Sequence, residues 1–552
     1  MNPWTIATTM AKRGLFTPTW PHRQLGQVVS LFTWGFTLIG EVRQAAQVVP
    51  NQVAILDEDR GTVTYAALFE RGIRAAAALR DLGIAPGDRI ALLARNHVGA
   101  VEVMLGASAL GVDLVLANTG MSGPQLAAMA REHDVRLLVH DAEFGSALAE
   151  MPDELRCVDD TAFAAAVRGA REVDRGIPSR EGRIIILTSG TTGAPRGAER
   201  RAVGGVGPLV SIIDRIPLHA GDRVHIAAPL FHTWGFAALQ LSLGMHATIV
   251  LRRRFEATAT LDALAEHRCE VLFAVPVMAQ RMLDSLGGGA AGAGDAGGAG
   301  LGAAGAAGSP RHTARQRMPR LRVVALSGSR LPAGFAGRFM DEFGEVLYNL
   351  YGSTEASWIC IATPADLRRD PDTAGRPPLG TVVQILDGEG REVPEGQVGR
   401  VFCGNDLTFE GYTSGEAREF VAGMVSTGDL GHVRDGLYYV DGREDDMIVS
   451  GGENVYPGAV EGLIAELPAV LEVAVVGVPD ADFGERLAAF VVRRPGMPLS
   501  AKAVRSRIRA VGARHLVPRE VVFLAALPRN AAGKVMSSDL RAHPQLRRAP
   551  VP

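Results

Sequence analysis

The apolar run Ile184-Ile185-Ile186-Leu187 is followed directly by Thr188-Ser189-Gly190-Thr191-Thr192-Gly193-Ala194-Pro195-Arg196-Gly197. The run is typical of a short buried strand, and the segment after it combines hydroxyls, glycines and one cation. Backbone N–H groups and side-chain donors in such a loop suit a polyphosphate. A plain turn is the alternative, because Ser, Thr and Gly clusters commonly form one. The usual ATP loop, G-x-x-x-x-G-K-[ST], cannot be written through these glycines. The stretch therefore predicts a strand that leads into a phosphate loop of another kind.

Further motifs follow this loop in order along the chain. They are Pro229-Leu230-Phe231-His232, Tyr351-Gly352-Ser353-Thr354-Glu355, Ser426-Thr427-Gly428-Asp429-Leu430, Gly442-Arg443-Glu444-Asp445-Asp446, Ser450-Gly451-Gly452-Glu453-Asn454 and Pro528-Arg529-Asn530-Ala531-Ala532-Gly533-Lys534. The series resembles the adenylate-forming superfamily of acyl-CoA synthetases, adenylation domains and luciferases, whose loop reads T-S-G-T-T-G-x-P-K-G. This chain departs from that loop at Arg196, where the family usually has lysine. The last two motifs look most like those of fatty acyl-CoA synthetases.

The resemblance implies that the loop holds the β- and γ-phosphates of ATP. The loop residues assigned to this role are Thr188, Ser189, Gly190, Thr191, Thr192 and Gly193. Arg196 would act as a catalytic cation near the exit of the loop, where pyrophosphate leaves.

The resemblance also implies a magnesium site and an adenine site. Glu355 would bind Mg²⁺ with Thr188 as a second ligand, because this hard cation prefers oxygen donors. Tyr351 would stack on adenine. A surface charge for Glu355 and an ordinary core aromatic for Tyr351 are the alternatives. The other residues assigned to the nucleotide are Gly328, Ser329, Gly352, Ser353 and Thr354.

Four residues near the C-terminal third are assigned in the same way. Asp429 would accept hydrogen bonds from the ribose hydroxyls, and Arg443 would reach the same nucleotide. Asp445 matches a hinge, and Lys534 matches the catalytic cation of adenylation. Each of three residues has an alternative: Asp429 would belong to an ordinary turn, Asp445 to a solvated acidic run, and Lys534 would be a surface lysine.

The acyl and CoA sites are assigned from the motifs that contain His232 and Ser450. His232 is expected to position the substrate without acting as an acid or base, although a lone histidine in an apolar segment is commonly a core residue. Ser450, Gly451 and Gly452 would lie beside the pantetheine of CoA. Four further side chains are expected either to line the acyl pocket or to belong to the core: Trp234, Phe236, Trp358 and Ile359.

Composition narrows the class of protein. A net charge of -3 over 552 residues gives no reason to expect nucleic acid or an anionic membrane as a partner. The four cysteines are widely spaced and predict reduced thiols in a cytoplasmic protein. We expect no signal peptide and no transmembrane segment: 24–40 is short and interrupted, and 226–251 is expected to be buried in the protein. Loose membrane association and the oligomeric state stay open.

Alternating apolar runs and helical patterns predict an α/β fold with parallel sheets. Strands are expected at 89–94, 112–116 and 135–139, with helices at 99–111 and 123–133 between them. The expected domains are 1–441, which binds AMP and acyl group, and 442–552, a mobile α+β lid. That lid is expected to have strands at 472–478 and 520–524 and a helix at 500–511. The Gly/Ala tract 287–308 is expected to be a surface loop.

These inferences favour an enzyme that uses ATP, Mg²⁺ and CoA to convert a medium- or long-chain fatty acid, through acyl-AMP, into acyl-CoA. A fatty acyl-AMP ligase that loads a carrier protein is the first alternative. A nucleotide- or lipid-binding pseudoenzyme is the second, and it is supported by Arg196 alone.

Overall fold

The strands are short in the first half of the chain and longest near its C-terminal end. The computed structural model describes residues 2–15, 30, 33–170, 176–188, 196–199, 205–287, 313–332, 334–353, 356–405, 411–412, 418–450, 453–480, 484–511, 514–531 and 533–548. The strands are β1 (Val53–Asp57), β2 (Gly61–Thr64), β3 (Arg89–Leu93), β4 (Asp113–Leu116), β5 (Val135–His140), β6 (Arg156–Asp159), β7 (Ile184–Thr188), β8 (Arg196–Glu199), β9 (Arg223–Ile226), β10 (Thr248–Leu251), β11 (Val271–Ala274), β12 (Val323–Leu326), β13 (Leu347–Ser353), β14 (Ser357–Ala362), β15 (Val382–Leu386), β16 (Gly399–Gly404), β17 (Gly411–Tyr412), β18 (Phe420–Val421), β19 (Met424–Arg434), β20 (Leu437–Arg443), β21 (Ile448–Ser450), β22 (Glu453–Val455), β23 (Val470–Asp480), β24 (Gly484–Arg493) and β25 (Glu520–Leu524).

Helices alternate with these strands, and several begin at a side chain that caps the first turn. Thr64, for example, accepts the backbone N–H of Ala67 at the start of the third helix. The helices are α1 (Pro3–Lys12), α2 (Leu38–Val48), α3 (Tyr65–Asp81), α4 (Val98–Leu110), α5 (Gly123–Glu132), α6 (Asp160–Gly169), α7 (Gly207–Arg215), α8 (Thr233–Gly244), α9 (Ala257–Glu266), α10 (Pro276–Gly287), α11 (Ala314–Arg317), α12 (Phe335–Phe343), α13 (Pro364–Arg369), α14 (Pro457–Ala465), α15 (Ala501–Val511) and α16 (Ser537–Arg541).

Two large sheets carry the N-terminal part. In the described residues, one has eight strands in the order β14-β13-β12-β11-β9-β10-β1-β2, and the other has seven in the order β17-β8-β7-β4-β3-β5-β6. Their central pairs are parallel, and antiparallel pairs lie toward the edges. The predicted strands at 89–94, 112–116 and 135–139 are β3, β4 and β5, each correct to within a residue. Their apolar runs are continuous because helices cover both faces of such a sheet.

Two smaller sheets follow. The third sheet consists of β15, β16, β18, β19 and β20. The fourth sheet consists of β21 to β25, and α14 and α15 belong to the same part of the chain. The strands and helix that we predicted in the C-terminal part are β23, β25 and α15. The third sheet ends at Arg443 and the fourth begins at Ile448. The molecule therefore has the predicted α/β fold, with a large N-terminal part and a small C-terminal one.

The uncharged segment 226–251 contains the end of β9, the whole of α8 and the strand β10. Most of its side chains belong to the largest core cluster, as expected of a segment buried in protein. Among the described residues, no helix combines the length and the apolar character needed to cross a membrane. The Gly/Ala tract lies outside the described residues from position 288 onward. Cys269, Cys360 and Cys403 are buried free thiols, and Cys157 is an exposed one.

Candidate functional site

The predicted phosphate loop lies between two paired strands. β7 is parallel to β4 on one side and antiparallel to β8 on the other, and Thr188 is opposite Arg196 in that register. The chain therefore leaves the sheet at Thr188 and returns at Arg196, so the two ends of the loop are neighbours. Residues 189–195 lie outside the described part of the chain, as do the side chains of Thr188 and Arg196.

Tyr351 and Asp429 meet although they belong to different sheets. Tyr351 lies on β13, and its phenol donates a hydrogen bond of 2.5 Å to Oδ2 of Asp429 on β19. Burial, followed by the negative charge of Asp429, raises the pKa of Tyr351 well above its usual value. The phenol therefore stays protonated and fixes one oxygen of the carboxylate. The other oxygen faces Arg443, whose Nε lies 4.0 Å from Oδ1.

The Tyr351 motif continues along β13. An added Cβ at Gly352 would lie 2.1 Å from the backbone oxygen of Ser357, so this position accepts only glycine without a shift of the backbone. The hydroxyl of Ser353 accepts the backbone N–H of Ala356. Thr354 and Glu355, including the predicted magnesium ligand, lie outside the described residues.

Arg443 is held by strand pairing. It lies opposite Asp429 in the register of β19 with β20. Asp445 follows in the short turn Glu444–Asp446, between the last strand of the third sheet and the first of the fourth. The predicted hinge residue is therefore in the connection between the third and the fourth sheet.

His232 caps α8 at its N-terminus. Its Nδ1 accepts the backbone N–H of Trp234 at 3.3 Å. Burial, and after it the positive charge of Lys534, lowers the pKa of His232 to about 4. An added Cβ at Gly328, which has φ of +100°, would lie 3.6 Å from Cε1 of His232. The imidazole is therefore neutral near pH 7 and lies beside the residues that follow β12. Ser329, the next residue, is exposed.

Lys534 belongs to a tight turn that reaches the N-terminal part. Its backbone N–H and C=O both pair with Asn530, and Arg529 donates to the carbonyl of Gly533. Gly533 has φ of +81°, and an added Cβ there would lie 2.7 Å from Cγ1 of Val277. On the other side, an added Cβ at Gly120 would lie 3.0 Å from Cβ of Ala531. The turn is therefore seated against the N-terminal part and brings the exposed Lys534 side chain close enough to affect His232.

The structure separates the four apolar candidates. Trp234 is 4% exposed, and its Nε1 donates to the carbonyls of Ala274 and Ala325, at the ends of β11 and β12. Ile359 is fully buried in the core of the third sheet. These contacts favour the core alternative for both residues. Phe236 and Trp358 are half-buried.

The predicted CoA residues are only partly described. Ser450 is the last residue of β21, where it pairs with Glu453 of β22 and Gly484 of β24. Gly451 and Gly452 lie outside the described residues. The structure brings together Tyr351, Asp429 and Arg443 as one group, and the residues around His232 and Lys534 as another.

Sequence reasoning missed two features of this site. The first is Gly120, which carries no motif and is recognised only by its approach to Ala531. The second is a compositional signal: of the 57 basic Lys and Arg residues, three are lysines, namely Lys12, Lys502 and Lys534. A chain that uses arginine almost everywhere has lysine at the predicted catalytic position. The same preference extends to Arg196, where the family loop usually has lysine.

Comparison with known proteins gives consistent results over most of the chain. The family profile described as AMP-binding enzyme matches residues 42–413, and the AMP-binding enzyme C-terminal domain matches residues 459–534. An indoleacetate–CoA ligase of Aromatoleum aromaticum is 30% identical over 89% of this chain and 95% of its own. A fatty acid–[acyl-carrier-protein] ligase of Streptomyces coeruleorubidus is 29% identical over 92% of this chain and 96% of its own.

Solved structures agree with this result. The o-succinylbenzoate CoA synthetase of Bacillus subtilis, in complex with its acyl-adenylate intermediate, superposes with a TM-score of 0.76. It is 26% identical, and the match covers 91% of this chain and 97% of that one.

Proposed function

The chain belongs to the AMP-binding enzyme family of adenylate-forming proteins, and from that membership we propose that it is an ATP-dependent fatty acid–CoA ligase. The fatty acid is of medium or long chain, and the products are acyl-CoA, AMP and pyrophosphate. In the first step a carboxylate oxygen bonds to the α-phosphorus of ATP and pyrophosphate leaves. In the second step the thiol sulfur of CoA bonds to the acyl carbon and AMP leaves. The thiol proton is lost to solvent.

The observation that carries this proposal is the position of the Lys534 turn. Negative charge builds up on the carboxylate and the α-phosphate in the first step, so the site must supply a cation there. Lys534 is close enough to His232 to lower its pKa, and its turn packs on Val277. A lysine on the C-terminal part, seated over the ends of β11 and β12, is suited to the adenylation step and can be withdrawn before the second.

His232 and Asp429 have positioning roles in this proposal. With a pKa of about 4, His232 is a neutral acceptor at pH 7 and takes no part in proton transfer. It helps to shape the space next to Gly328, where the carboxyl group of the substrate lies. Asp429 holds the ribose hydroxyls, since Tyr351 and Arg443 have already fixed the orientation of its carboxylate.

Magnesium fits the donor set that the motifs supply. Glu355 offers a carboxylate and Thr188 a hydroxyl, and both are the oxygen donors that this ion prefers. These two residues would hold the ion, which would neutralise phosphate charge when bound. Ser450 and the two glycines after it would lie beside the pantetheine of CoA.

The test is incubation of the purified full chain with ATP, Mg²⁺, decanoic or palmitic acid, and CoA. We expect release of pyrophosphate and a fatty acyl thioester detected by mass. If acyl-AMP accumulates in the presence of CoA, but its acyl group is transferred to an added carrier protein, the carrier-loading alternative is supported. The Streptomyces relative suggests that alternative. If pyrophosphate is released only with indoleacetate or other aromatic acids, fatty acids are not the substrates. If no acid leads to pyrophosphate release, the pseudoenzyme alternative is supported.

A further inference from the structure

Helix α8 is fully buried along one side and only partly buried along the other. Its inward side chains, among them Trp234, Ala238 and Ser242, are buried in the core. His232, Phe236, Gln240 and Gly244 recur at intervals of four, so they form one row along the helix. All four are only partly buried. This row starts at His232, which is the residue close to Lys534.

A buried carboxyl group lies at the far end of this row. Glu41 of α2 faces Gly244, where an added Cβ would lie 3.8 Å from both Cδ and Oε1 of the glutamate. The side-chain amide of Gln240 is near the same carboxyl group and donates to the backbone oxygen of Phe36, just before α2, at 3.4 Å. The row therefore begins at a neutral imidazole, continues past the apolar Phe236 and ends at a polar pair, Gln240 and Glu41.

One oxygen of this carboxyl group has no hydrogen-bond partner. Glu41 is 8% exposed, and its Oε2 is without a partner among the described residues. Burial raises the pKa of Glu41 well above its usual value, which favours the neutral acid. A neutral carboxyl group offers both a donor and an acceptor. Leaving such a group unpaired in the interior is unfavourable, which points to a partner supplied by a ligand.

We propose that the acyl chain lies along the row from His232 to Gln240 and that its far end carries a hydroxyl group which hydrogen-bonds to Glu41. The substrate class is thus an ω-hydroxy fatty acid. Positions 232 and 240 are eight residues apart, which on a helix is roughly 12 Å at about 1.5 Å per residue. That length suits a medium chain. This inference rests on the proposed function, because it takes a fatty acid as the substrate.

A purely structural role for Glu41 makes a different prediction. Glu41 is in the first turn of α2, and the neighbouring Gln44 on the same helix pairs with His246 at 3.0 Å. If Glu41 only supported the packing of α2 on α8, its replacement would lower stability and leave the choice of substrate unchanged. Gln44→Met is therefore a matched control, since it removes a buried hydrogen bond from the same helix outside the row.

The experiment compares decanoic acid with ω-hydroxydecanoic acid by pyrophosphate release in the full chain. In the wild type we expect kcat/KM to favour the hydroxy acid by about tenfold or more, as for a hydrogen bond that is left unmade with the plain acid. Glu41→Leu should reduce that ratio to about one or below, mainly because kcat/KM for decanoic acid increases. Glu41→Gln, which keeps a polar group of the same size, should retain most of the preference, and Gln44→Met should retain all of it.

The outcomes separate this inference from the proposed function. Equal use of the two acids by the wild type, or an unchanged ratio in a folded Glu41→Leu, would overturn the role of Glu41 and leave the fatty acid–CoA ligase in place. Failure of the wild type with both acids, but activity with aromatic acids, would overturn the proposed function itself. If Glu41→Leu does not fold, the wild-type ratio and that of Glu41→Gln still decide the question.

Discussion

The phenol of Tyr351 is hydrogen-bonded to the carboxylate of Asp429, and this contact joins the eight-stranded sheet to the third sheet. The two residues are 78 positions apart, and each was assigned to a different part of the nucleotide. In the proposed site, this contact would hold the adenine side and the ribose side as one unit.

Tyr351→Phe should weaken ATP binding by severalfold. The substitution removes the donor that fixes Oδ2 of Asp429 but keeps the aromatic ring. KM for ATP in pyrophosphate release should therefore rise, while KM for the fatty acid changes little. Tyr438→Phe is the control, because that phenol donates to the carbonyl of Val383 in the same sheet and has no part in the site. Equal effects of the two variants would argue against an oriented Asp429.

Lys534→Ala should reduce the adenylation rate by about 10²-fold or more, since it removes a preorganised contact to the developing charge. Conversion of supplied acyl-AMP and CoA to the thioester should be largely retained. Lys534→Arg should also be strongly impaired, because a planar guanidinium does not replace a compact ammonium group at a fixed position. Lys502→Ala, an exposed lysine of the same part, is the control. Equal loss in both half-reactions would contradict this role.

Asp445→Pro should separate the two half-reactions in the opposite sense. Proline fixes φ near -65° in the connection between the third and fourth sheets, and so would block rotation there. We expect pyrophosphate release and acyl-AMP formation to persist while thioester formation stops. Normal turnover with CoA would place the hinge elsewhere.

Arg196→Lys tests whether the one departure from the family loop matters. Lysine offers a compact charge in place of a planar fork, so we expect a severalfold change in ATP affinity or in pyrophosphate release. The ratio of kcat/KM for two fatty acids of different length should not change. A shift in that ratio would mean that position 196 faces the acyl group.

The stability of the protein should decrease as the pH falls from about 6.5 toward 4. Burial lowers the pKa of His225, His232 and His246 to about 4, so their imidazoles are neutral in the folded state over this range. The unfolded chain binds more protons there, and each group lowers the free energy of unfolding by at most about 1.4 kcal/mol per pH unit. Urea unfolding at pH 7.5 and 5.5 measures the effect. His246→Gln should show a smaller decrease than the wild type; an identical decrease would exclude His246 as a contributor.

The sequence predicted the strands of the seven-stranded sheet well because burial on both faces requires uninterrupted apolar runs. It predicted the motif residues one at a time, but not the contact of Tyr351 with Asp429, since that depends on how two sheets pack. Trp234 shows another limit: an aromatic residue after His232 suits a pocket wall and a core equally, and only the two carbonyls that accept its N–H decide between them. Glu41 carries no motif at all and is recognised only by its burial.

The scarcity of lysine makes the position of the C-terminal turn open to direct chemical measurement. Lys12, Lys502 and Lys534 are all exposed, so an amine-acylating reagent should modify each of them, and peptide masses would distinguish the three. A nucleotide that fills the site should shield Lys534 alone. The other two lysines then serve as internal standards. The fraction of Lys534 that stays unmodified measures the fraction of the protein in which the C-terminal turn covers the bound nucleotide.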